Sequence, residues 1–126
     1  MCGIAGYSGR FDKILLNKCI ESLNHRGPDA DGIFLDEKHN IGLGHTRLTI
    51  IDLSDLANQP LKDNDENCVI VFNGEIYNYL ELKKELVNQG YQFKTKSDTE
   101  VLLCLYQKYG YELLKKLEGI FAFAIW

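Results

Sequence analysis

The first half of the chain places one helical pattern of apolar residues among stretches that favour β-structure. Residues 2–8 read as a strand, and the turn residues of "HRGPDADG" (25–32) end the helix that follows it. Further short strands are predicted over 32–35, 41–45 and 47–51. The helix is predicted by five residues that recur at three- and four-residue spacing: Ile14, Leu15, Cys19, Ile20 and Leu23.

The second half opens with a polar stretch and ends in an apolar strand. We expect 52–67 to form a long loop of the functional kind, and the apolar run before Asn73-Gly74 to end in a tight turn. The final strand, 119–126, is still apolar at its last residue, so we expect a chain cut off inside its fold. The whole pattern predicts an α+β protein. Helices are predicted over 79–88 with Asn78 as cap and Gly90 as stop, from Ser97 or Asp98 to Gly110, and over 111–117.

Composition and charge narrow the range of partners. The 126 residues are 45% apolar and 11% aromatic, enough to bury the core of about one domain. The net charge is −4 and lysines and arginines form no run, which argues against a nucleic-acid surface or a polybasic membrane patch. Small molecules or proteins are the expected partners. The longest apolar runs are strand-sized and no secretory signal precedes them, so we expect a cytoplasmic protein.

The four cysteines form no metal-binding or disulfide pattern. They are widely spaced, without a C-x-x-C pair or neighbouring histidines, so neither zinc nor a disulfide framework is expected. Cys19, Cys68 and Cys104 lie within helical or strand patterns and read as small buried apolar residues. Only Cys2 is left for chemistry.

Cys2 has two interpretations. It is either a buried cysteine of the first strand or a nucleophile whose base is its own α-amine. A free α-amine has a pKa of about 7.7 to 8, so part of it is neutral at cellular pH and takes the thiol proton. This requires removal of Met1, because a retained Met1 turns the amine into an amide.

Other residues fit a reaction at the amide of an amino acid. Asn73 and the Gly74 N–H would supply two donors to an oxyanion, although an Asn-Gly pair by itself more often forms the turn of an ordinary hairpin. Arg47 offers a planar fork for a carboxylate, or a surface ion pair. Asp98 offers an acceptor for an ammonium group, or a helix cap.

Seven blocks occur together and in order: "MCGIAGYSG", "LNHRGPDADG", "LGHTRLTIIDLS", "NQPL", "VFNGEIYNYLELKKEL", "KSDTEVLLCLYQKYG" and "LEGIFAFAIW". With them the chain resembles, over residues 2–126, the N-terminal glutaminase domain of the asparagine synthase (glutamine-hydrolysing) family, a class II glutamine amidotransferase. The resemblance implies an N-terminal-nucleophile hydrolase fold, a four-layer αββα sandwich with two packed antiparallel sheets. Residues 1–126 would form that domain, truncated at its C-terminal end and lacking the synthetase domain.

The resemblance also implies a role for each candidate residue. Cys2 would be the nucleophile with its α-amine as base, and Asn73 and Gly74 the oxyanion hole. Residues 25–29 would shape a loop beside them. The substrate, L-glutamine, would be held by Arg47 at its α-carboxylate and Asp98 at its α-ammonium, with Glu75 and the backbone around Ile51 lining the pocket.

The implied reaction is hydrolysis of L-glutamine to glutamate and ammonia, without metal or cofactor. ATP and Mg are expected only in the synthetase domain, which would make asparagine from aspartate, and residues 1–126 contain no phosphate-binding G-x-x-x-x-G-K-[ST] loop. Two alternatives stay open. One is the glutaminase head of an enzyme that aminates a sugar or polysaccharide precursor, and the other is a catalytically silent domain with Met1 retained. The sequence also leaves open whether the protein is a homodimer.

Overall fold

Six strands form two separate antiparallel sheets. The computed structural model describes residues 2–10, 12–50 and 52–126. Strands and helices follow in the order β1 (Gly3–Ser8), α1 (Lys13–Leu23), β2 (Ala30–Asp36), β3 (Ile41–Arg47), β4 (Leu61–Lys62), β5 (Val69–Ile76), α2 (Tyr79–Asn88), α3 (Asp98–Tyr109) and β6 (Gly119–Ile125). Two short 3₁₀ turns, Asp55–Ala57 and Gly110–Lys115, complete the described elements.

The two sheets pack face to face and each is covered by helices on its outer side. The first sheet has the order β1-β3-β2 and contacts α1, while the second has the order β4-β5-β6 and contacts α3. The central strands β3 and β5 contact each other across the interface. The helix α1 lies close to its sheet because Gly44 has no side chain, and a Cβ there would lie 2.6 Å from Ile20 Cδ1. These four αββα layers confirm the predicted α+β sandwich.

Strand β5 belongs to both parts of the core because its side chains alternate between its two faces. Ile70, Phe72 and Ile76 pack with the buried leucines of α2 and α3. Val69 and Val71 point the other way and pack with Ile41 and Leu43 of β3. Burial on both faces explains the unbroken apolar run at the start of β5.

The three longer predicted helices are observed as α-helices, and their caps differ in how the side chains bind. Ser97 caps α3 by accepting a hydrogen bond from Glu100 N at 3.3 Å, so Asp98 is the first helical residue rather than the cap. Helix α2 has the predicted bounds and Asn78 occupies its N-cap position, but the Asn78 side chain makes no capping hydrogen bond. The Asn78 side chain instead donates to Lys116 O and accepts from Glu118 N, which fixes the segment before β6.

Two other local predictions are wrong because pairing between distant residues decides them. The strand predicted over 47–51 ends at Arg47, since β2 begins opposite it at Ala30; Ile51 lies outside the described residues. The loop predicted over 52–67 contains a 3₁₀ turn and β4, which pairs with β5. The short helix predicted over 111–117 is observed as a 3₁₀ helix over Gly110–Lys115.

The tight turn predicted at Asn73-Gly74 is also wrong. Strand β5 runs straight through it and pairs with β6 up to Ile76↔Gly119. Glycine is needed here because the β6 backbone lies close: a Cβ at Gly74 would be 2.3 Å from Ile120 O and 2.5 Å from Phe121 Cα. The dipeptide therefore marks a close approach of two strands.

Three cysteines are only partly buried, whereas the sequence predicts them to be buried. Cys19, Cys68 and Cys104 form no disulfide, and Cys68 and Cys104 pack against the buried core. Burial raises the pKa of the Cys68 thiol and raises that of Cys104 to about 11, so neither is poised to react. Within the described part of the chain, no helix is long and apolar enough to cross a membrane.

Candidate active site

The predicted site residues meet in a cleft of about 240 Å³ at one end of the interface between the sheets. Its walls come from the N-terminus, the end of β3, the following loop, β5 and the start of α3. Five of the seven predicted residues line it: Cys2, Arg47, Gly74, Glu75 and Asp98. The Asn73 side chain does not line the cleft, and Ile51 lies outside the described residues.

The cleft forms where the inner face of the first sheet changes from apolar to polar. Along β3 the side chains on this face are Ile41, Leu43, His45 and Arg47, since every second residue shares a face. Strand β1 pairs with β3 from Ser8↔Ile41 to Gly3↔Thr46. One more step in this register sets Cys2 opposite Arg47, which brings the thiol and the guanidinium to the same end of the sheet.

Cys2 is held by hydrogen bonds on both its side chain and its backbone. Its Sγ accepts a hydrogen bond from Leu48 N at 3.3 Å and lies 3.7 Å from Leu48 O. Its carbonyl oxygen accepts one from Arg26 Nε at 3.0 Å. The backbone of Leu48 therefore holds the Cys2 side chain at the end of β3.

The loop 25–29 lies beside Cys2, as the sequence predicts. Besides the contact of Arg26 with Cys2, Asp29 accepts a hydrogen bond from Thr49 N at 2.7 Å. Its backbone N donates to Arg47 O at 3.0 Å. The "HRGPD" turn therefore supports the backbone of both Cys2 and the segment after β3.

One edge of β5 faces the cleft. In an antiparallel ladder, the N–H and C=O groups of successive residues point to alternate sides of the strand. Val69 exchanges hydrogen bonds with Trp126, and Tyr77 N donates to Glu118 O, so odd-numbered residues of β5 bond to β6. Even-numbered residues point to the other edge, which β4 covers only at the start of the strand.

Side chains take the place of a neighbouring strand along this edge, with a gap at Gly74. Phe72 N donates to Gln59 Oε1 at 2.6 Å, and Ile76 N donates to Asp98 Oδ2 at 3.2 Å. Gly74 lies between them, and among the described residues no acceptor binds its N–H. The cleft therefore contains a backbone donor oriented by the strand, as an oxyanion hole requires.

Asn73 faces the sheet that carries Cys2, since it shares a face with Val69 and Val71. Its Oδ1 is buried and has no hydrogen-bond partner among the described residues. On the same interface, His45 Nε2 donates to Phe72 O at 3.2 Å. Burial lowers the pKa of His45 to about 4, so the imidazole is neutral at pH 7 and supports the β5 backbone without adding charge.

Arg47 is a buried cation bound only by neutral acceptors. Its guanidinium donates to Ser54 O at 2.9 Å, to Asn58 Oδ1 and to Asp52 O. The residue is 8% exposed, and the ion pairs among the described residues do not include it. The Asp52 carboxylate is close enough for the charge of Arg47 to help lower its pKa, but it does not contact the guanidinium. A buried charge without a directly bound counter-ion is costly, so this site favours an anionic ligand.

Asp98 supplies the opposite charge in the same cleft. It is buried, and that burial raises the pKa of its carboxyl, with the nearby Glu75 raising it further. Hydrogen bonds from backbone N–H groups, including Ile76 N, oppose this rise. A cationic ligand would stabilise the ionised carboxylate, so the cleft suits a molecule with an anionic and a cationic group.

Asp52 fixes the loop that surrounds Arg47. Its carboxylate accepts hydrogen bonds from Ser54 Oγ at 2.7 Å, Ser54 N at 2.8 Å and Lys96 N at 2.7 Å. These bonds lower its pKa to about 2. They also join the loop after β3 to the segment before α3, so the two charged sides of the cleft are connected.

The roles of Gln59, His45 and Asp52 do not follow from the sequence, although all three lie in blocks that carry the family resemblance. The signals are a glutamine beside proline in "NQPL", a histidine within an apolar strand and Asp-x-Ser in "IDLS". Each role depends on a partner distant in sequence. In the described part of the chain, no group of three or more histidine, cysteine or acidic residues could hold a metal ion.

Comparison with known proteins agrees with this site. The family model described as a glutamine amidotransferase domain matches residues 1–126. The chain is 47% identical over 133 residues to asparagine synthetase [glutamine-hydrolyzing] 1 of Bacillus subtilis, covering 100% of this chain and 21% of that protein. It is 43% identical to asparagine synthetase B [glutamine-hydrolyzing] of Escherichia coli, and this match covers 100% of this chain and 23% of that protein.

A solved structure extends the comparison to the fold. Glutamine phosphoribosylpyrophosphate amidotransferase from B. subtilis, complexed with ADP and GMP, superposes with a TM-score of 0.78 at 25% identity. The match covers 99% of this chain and 34% of that one. It confirms the predicted N-terminal-nucleophile hydrolase fold. The chain spans about a fifth of the length of the two curated relatives.

Proposed function

The chain belongs to the glutamine amidotransferase domain family, and on that basis we propose that it hydrolyses L-glutamine to glutamate and ammonia in the cleft around Cys2. One observation carries the proposal. The cleft brings together the Cys2 thiol, the Gly74 N–H, the Arg47 guanidinium and the buried carboxylate of Asp98, and neither the Gly74 N–H nor the Arg47 charge is paired within the described part of the chain. These groups match the carboxamide, the carboxylate and the ammonium of a single amino acid.

The chemistry follows from the position of Cys2 next to the chain terminus. After removal of Met1, the free α-amine of Cys2 takes the thiol proton, and the sulfur attacks the carboxamide carbon. The Gly74 N–H stabilises the negative oxygen, and the Asn73 amide joins it once its side chain turns into the cleft. The C–N bond breaks, the nitrogen receives the proton from the α-amine and ammonia leaves. Water then cleaves the glutamyl thioester, which releases glutamate and restores the thiol.

The charged walls of the cleft orient the substrate. Two N–H donors of Arg47 are not used by its loop partners, which leaves a pair for the α-carboxylate of glutamine. Asp98 accepts from the α-ammonium, while Glu75 and the neighbours of position 51, Ile50 and Asp52, line the remaining wall. Glutamine held at both charged groups presents its side-chain amide to Cys2 in a defined orientation.

For the whole protein we propose an asparagine synthase that uses glutamine as its nitrogen source. The curated relatives carry this name at 43–47% identity and are several times longer than the chain. Ammonia would then pass to a synthetase domain, where ATP and Mg activate aspartate. The likeness to phosphoribosylpyrophosphate amidotransferase, at 25% identity, supports a different ammonia acceptor less strongly.

Ammonia release from L-glutamine by the full natural chain tests the proposal. We expect Cys2→Ala to abolish glutamine hydrolysis and to leave asparagine synthesis from free ammonia intact. Retained glutaminase activity in this variant would exclude Cys2 as the nucleophile. The N-terminal mass of the active protein should lack Met1, and an active protein that retains Met1 would exclude the α-amine as base.

A further inference from the structure

We propose that Gln59 is a positioning residue that sets the distance between the oxyanion-binding edge of β5 and the ammonium-binding start of α3. The inference rests on the proposed glutaminase function. Gln59 lines the cleft and is only 8% exposed. It touches neither of the charged anchors, so its effect would be transmitted through the backbone it holds.

The Gln59 side chain joins two elements with its two different ends. Its Oε1 accepts a hydrogen bond from Phe72 N on β5 at 2.6 Å. Its Nε2 donates to Thr99 Oγ1 on α3 at 3.3 Å. The tie needs an acceptor and a donor at fixed separation, which an uncharged amide supplies. Leucine has a similar volume but supplies neither group, and would leave the Phe72 N–H buried without a partner.

The two ends lie next to the functional groups along the chain. Phe72 precedes Gly74 by two residues on the same edge of β5, and Thr99 follows Asp98 in α3. Asp98 in turn binds Ile76 N, two residues after Gly74. The edge of β5 is therefore tied to the start of α3 on both sides of the unpartnered Gly74 N–H. Loosening one tie would let the donor move relative to the held substrate.

The backbone of Gln59 is itself held in place, which a positioning residue requires. Strand β2 runs directly beneath it, and a Cβ at Gly32 would lie 2.3 Å from Gln59 O. The preceding residue, Asn58, binds the Arg47 guanidinium. Gln59 and its neighbour Asn58 therefore connect the first sheet, Arg47, β5 and α3.

The test measures kcat and KM for glutamine hydrolysis in the full natural chain. Gln59→Leu should lower kcat by about 10- to 100-fold, because a displacement of about 1 Å has an effect of this size. KM should change less than kcat. Asparagine synthesis from free ammonia should be retained, which reports that the variant is folded. Gln92→Leu, at an exposed position, is the matched control and should behave as wild type.

Coupling to Thr99 separates positioning from simple loss of packing. Thr99→Val should reproduce part of the kcat loss and Thr99→Ser should restore it. The double variant Gln59→Leu/Thr99→Val should be no slower than Gln59→Leu alone. The rate of Cys2 alkylation by iodoacetamide should stay unchanged, because the thiol itself is not altered.

Three results would overturn the inference while leaving the proposed function intact: kcat unchanged in Gln59→Leu, a kcat loss that only follows the unfolded fraction, or fully additive effects of the two substitutions. A wild-type chain that releases no ammonia from glutamine would instead overturn the proposed function, and this inference with it.

Discussion

Replacing Arg47 tests whether the cleft is built for the carboxylate of an amino acid. The guanidinium uses three of its five N–H donors on Ser54 O, Asn58 Oδ1 and Asp52 O, and its charge is unpaired among the described residues. A hydrogen bond to a charged group contributes about 1.5–3 kcal/mol. Removing the carboxylate contact should therefore raise KM for glutamine by about 10- to 100-fold, at 1.4 kcal/mol for each factor of ten.

Arg47→Lys is the sharper variant because it retains the charge and loses the fork, while Arg47→Ala removes both. We expect both to raise KM more than they lower kcat, since the carboxylate is bound equally before and during the reaction. The assay is steady-state ammonia release, run also with 4-aminobutanamide, which has no α-carboxylate. With 4-aminobutanamide as the substrate, Arg47→Lys and the wild type should have similar KM values. An equal loss on both substrates would show that Arg47 only holds its loop, and Asn58→Ala measures that loop contribution.

Three further predictions concern the groups that support the cleft. Gly74→Ala should lower the free energy of unfolding, because its Cβ would overlap the β6 backbone at a cost of about 1–3 kcal/mol. Gly90→Ala is the control, since a Cβ there meets nothing within 4 Å and only backbone strain is added. Equal denaturant midpoints for the two variants would contradict this. The pKa of His45 is about 4 in the folded protein and 6.5 in the unfolded chain, so the unfolded chain binds the proton first as the pH falls. Between pH 6.5 and 4 the free energy of unfolding of the wild type should therefore fall by up to about 3 kcal/mol relative to that of His45→Gln. Parallel curves of stability against pH would refute this. The pKa of Asp52 is about 2 in the folded protein and 3.8 in the unfolded chain. The wild type should therefore be more stable than Asp52→Asn by about 2 kcal/mol above pH 4, and this difference should disappear towards pH 2. A difference that does not depend on pH would exclude the carboxylate as its source.

Local physics explains which elements could be predicted from the sequence. Helix α2 was predicted over its observed range, Tyr79–Asn88, because apolar periodicity and the Gly90 stop act within a few residues. The turn at Asn73-Gly74 failed because its local preference is outweighed by pairing with β6, more than forty residues later. Strand β4 has two residues, and pairing with β5 defines it rather than any pattern of its own.

The residues of the site also differ in whether their residue type or a distant partner determines their role. Cys2, Arg47 and Asp98 carry chemistry that their residue types reveal, and the fold brings them into one cleft as the resemblance predicts. Their individual roles stay predictions. Gln59 and His45 act by satisfying backbone groups of Phe72, from 13 and 27 residues away. Such partners become visible only once the two sheets are packed together.

The central claim is that the Cys2 sulfur forms a covalent bond with the glutamine side chain. The most direct measurement is acid quenching of the processed full chain during turnover, followed by mass spectrometry of its peptides. We predict a glutamyl adduct on the N-terminal peptide that begins with Cys2, removable by hydroxylamine as a thioester. Glutamine turnover without this adduct, or with the adduct on Cys19, Cys68 or Cys104, would contradict the account.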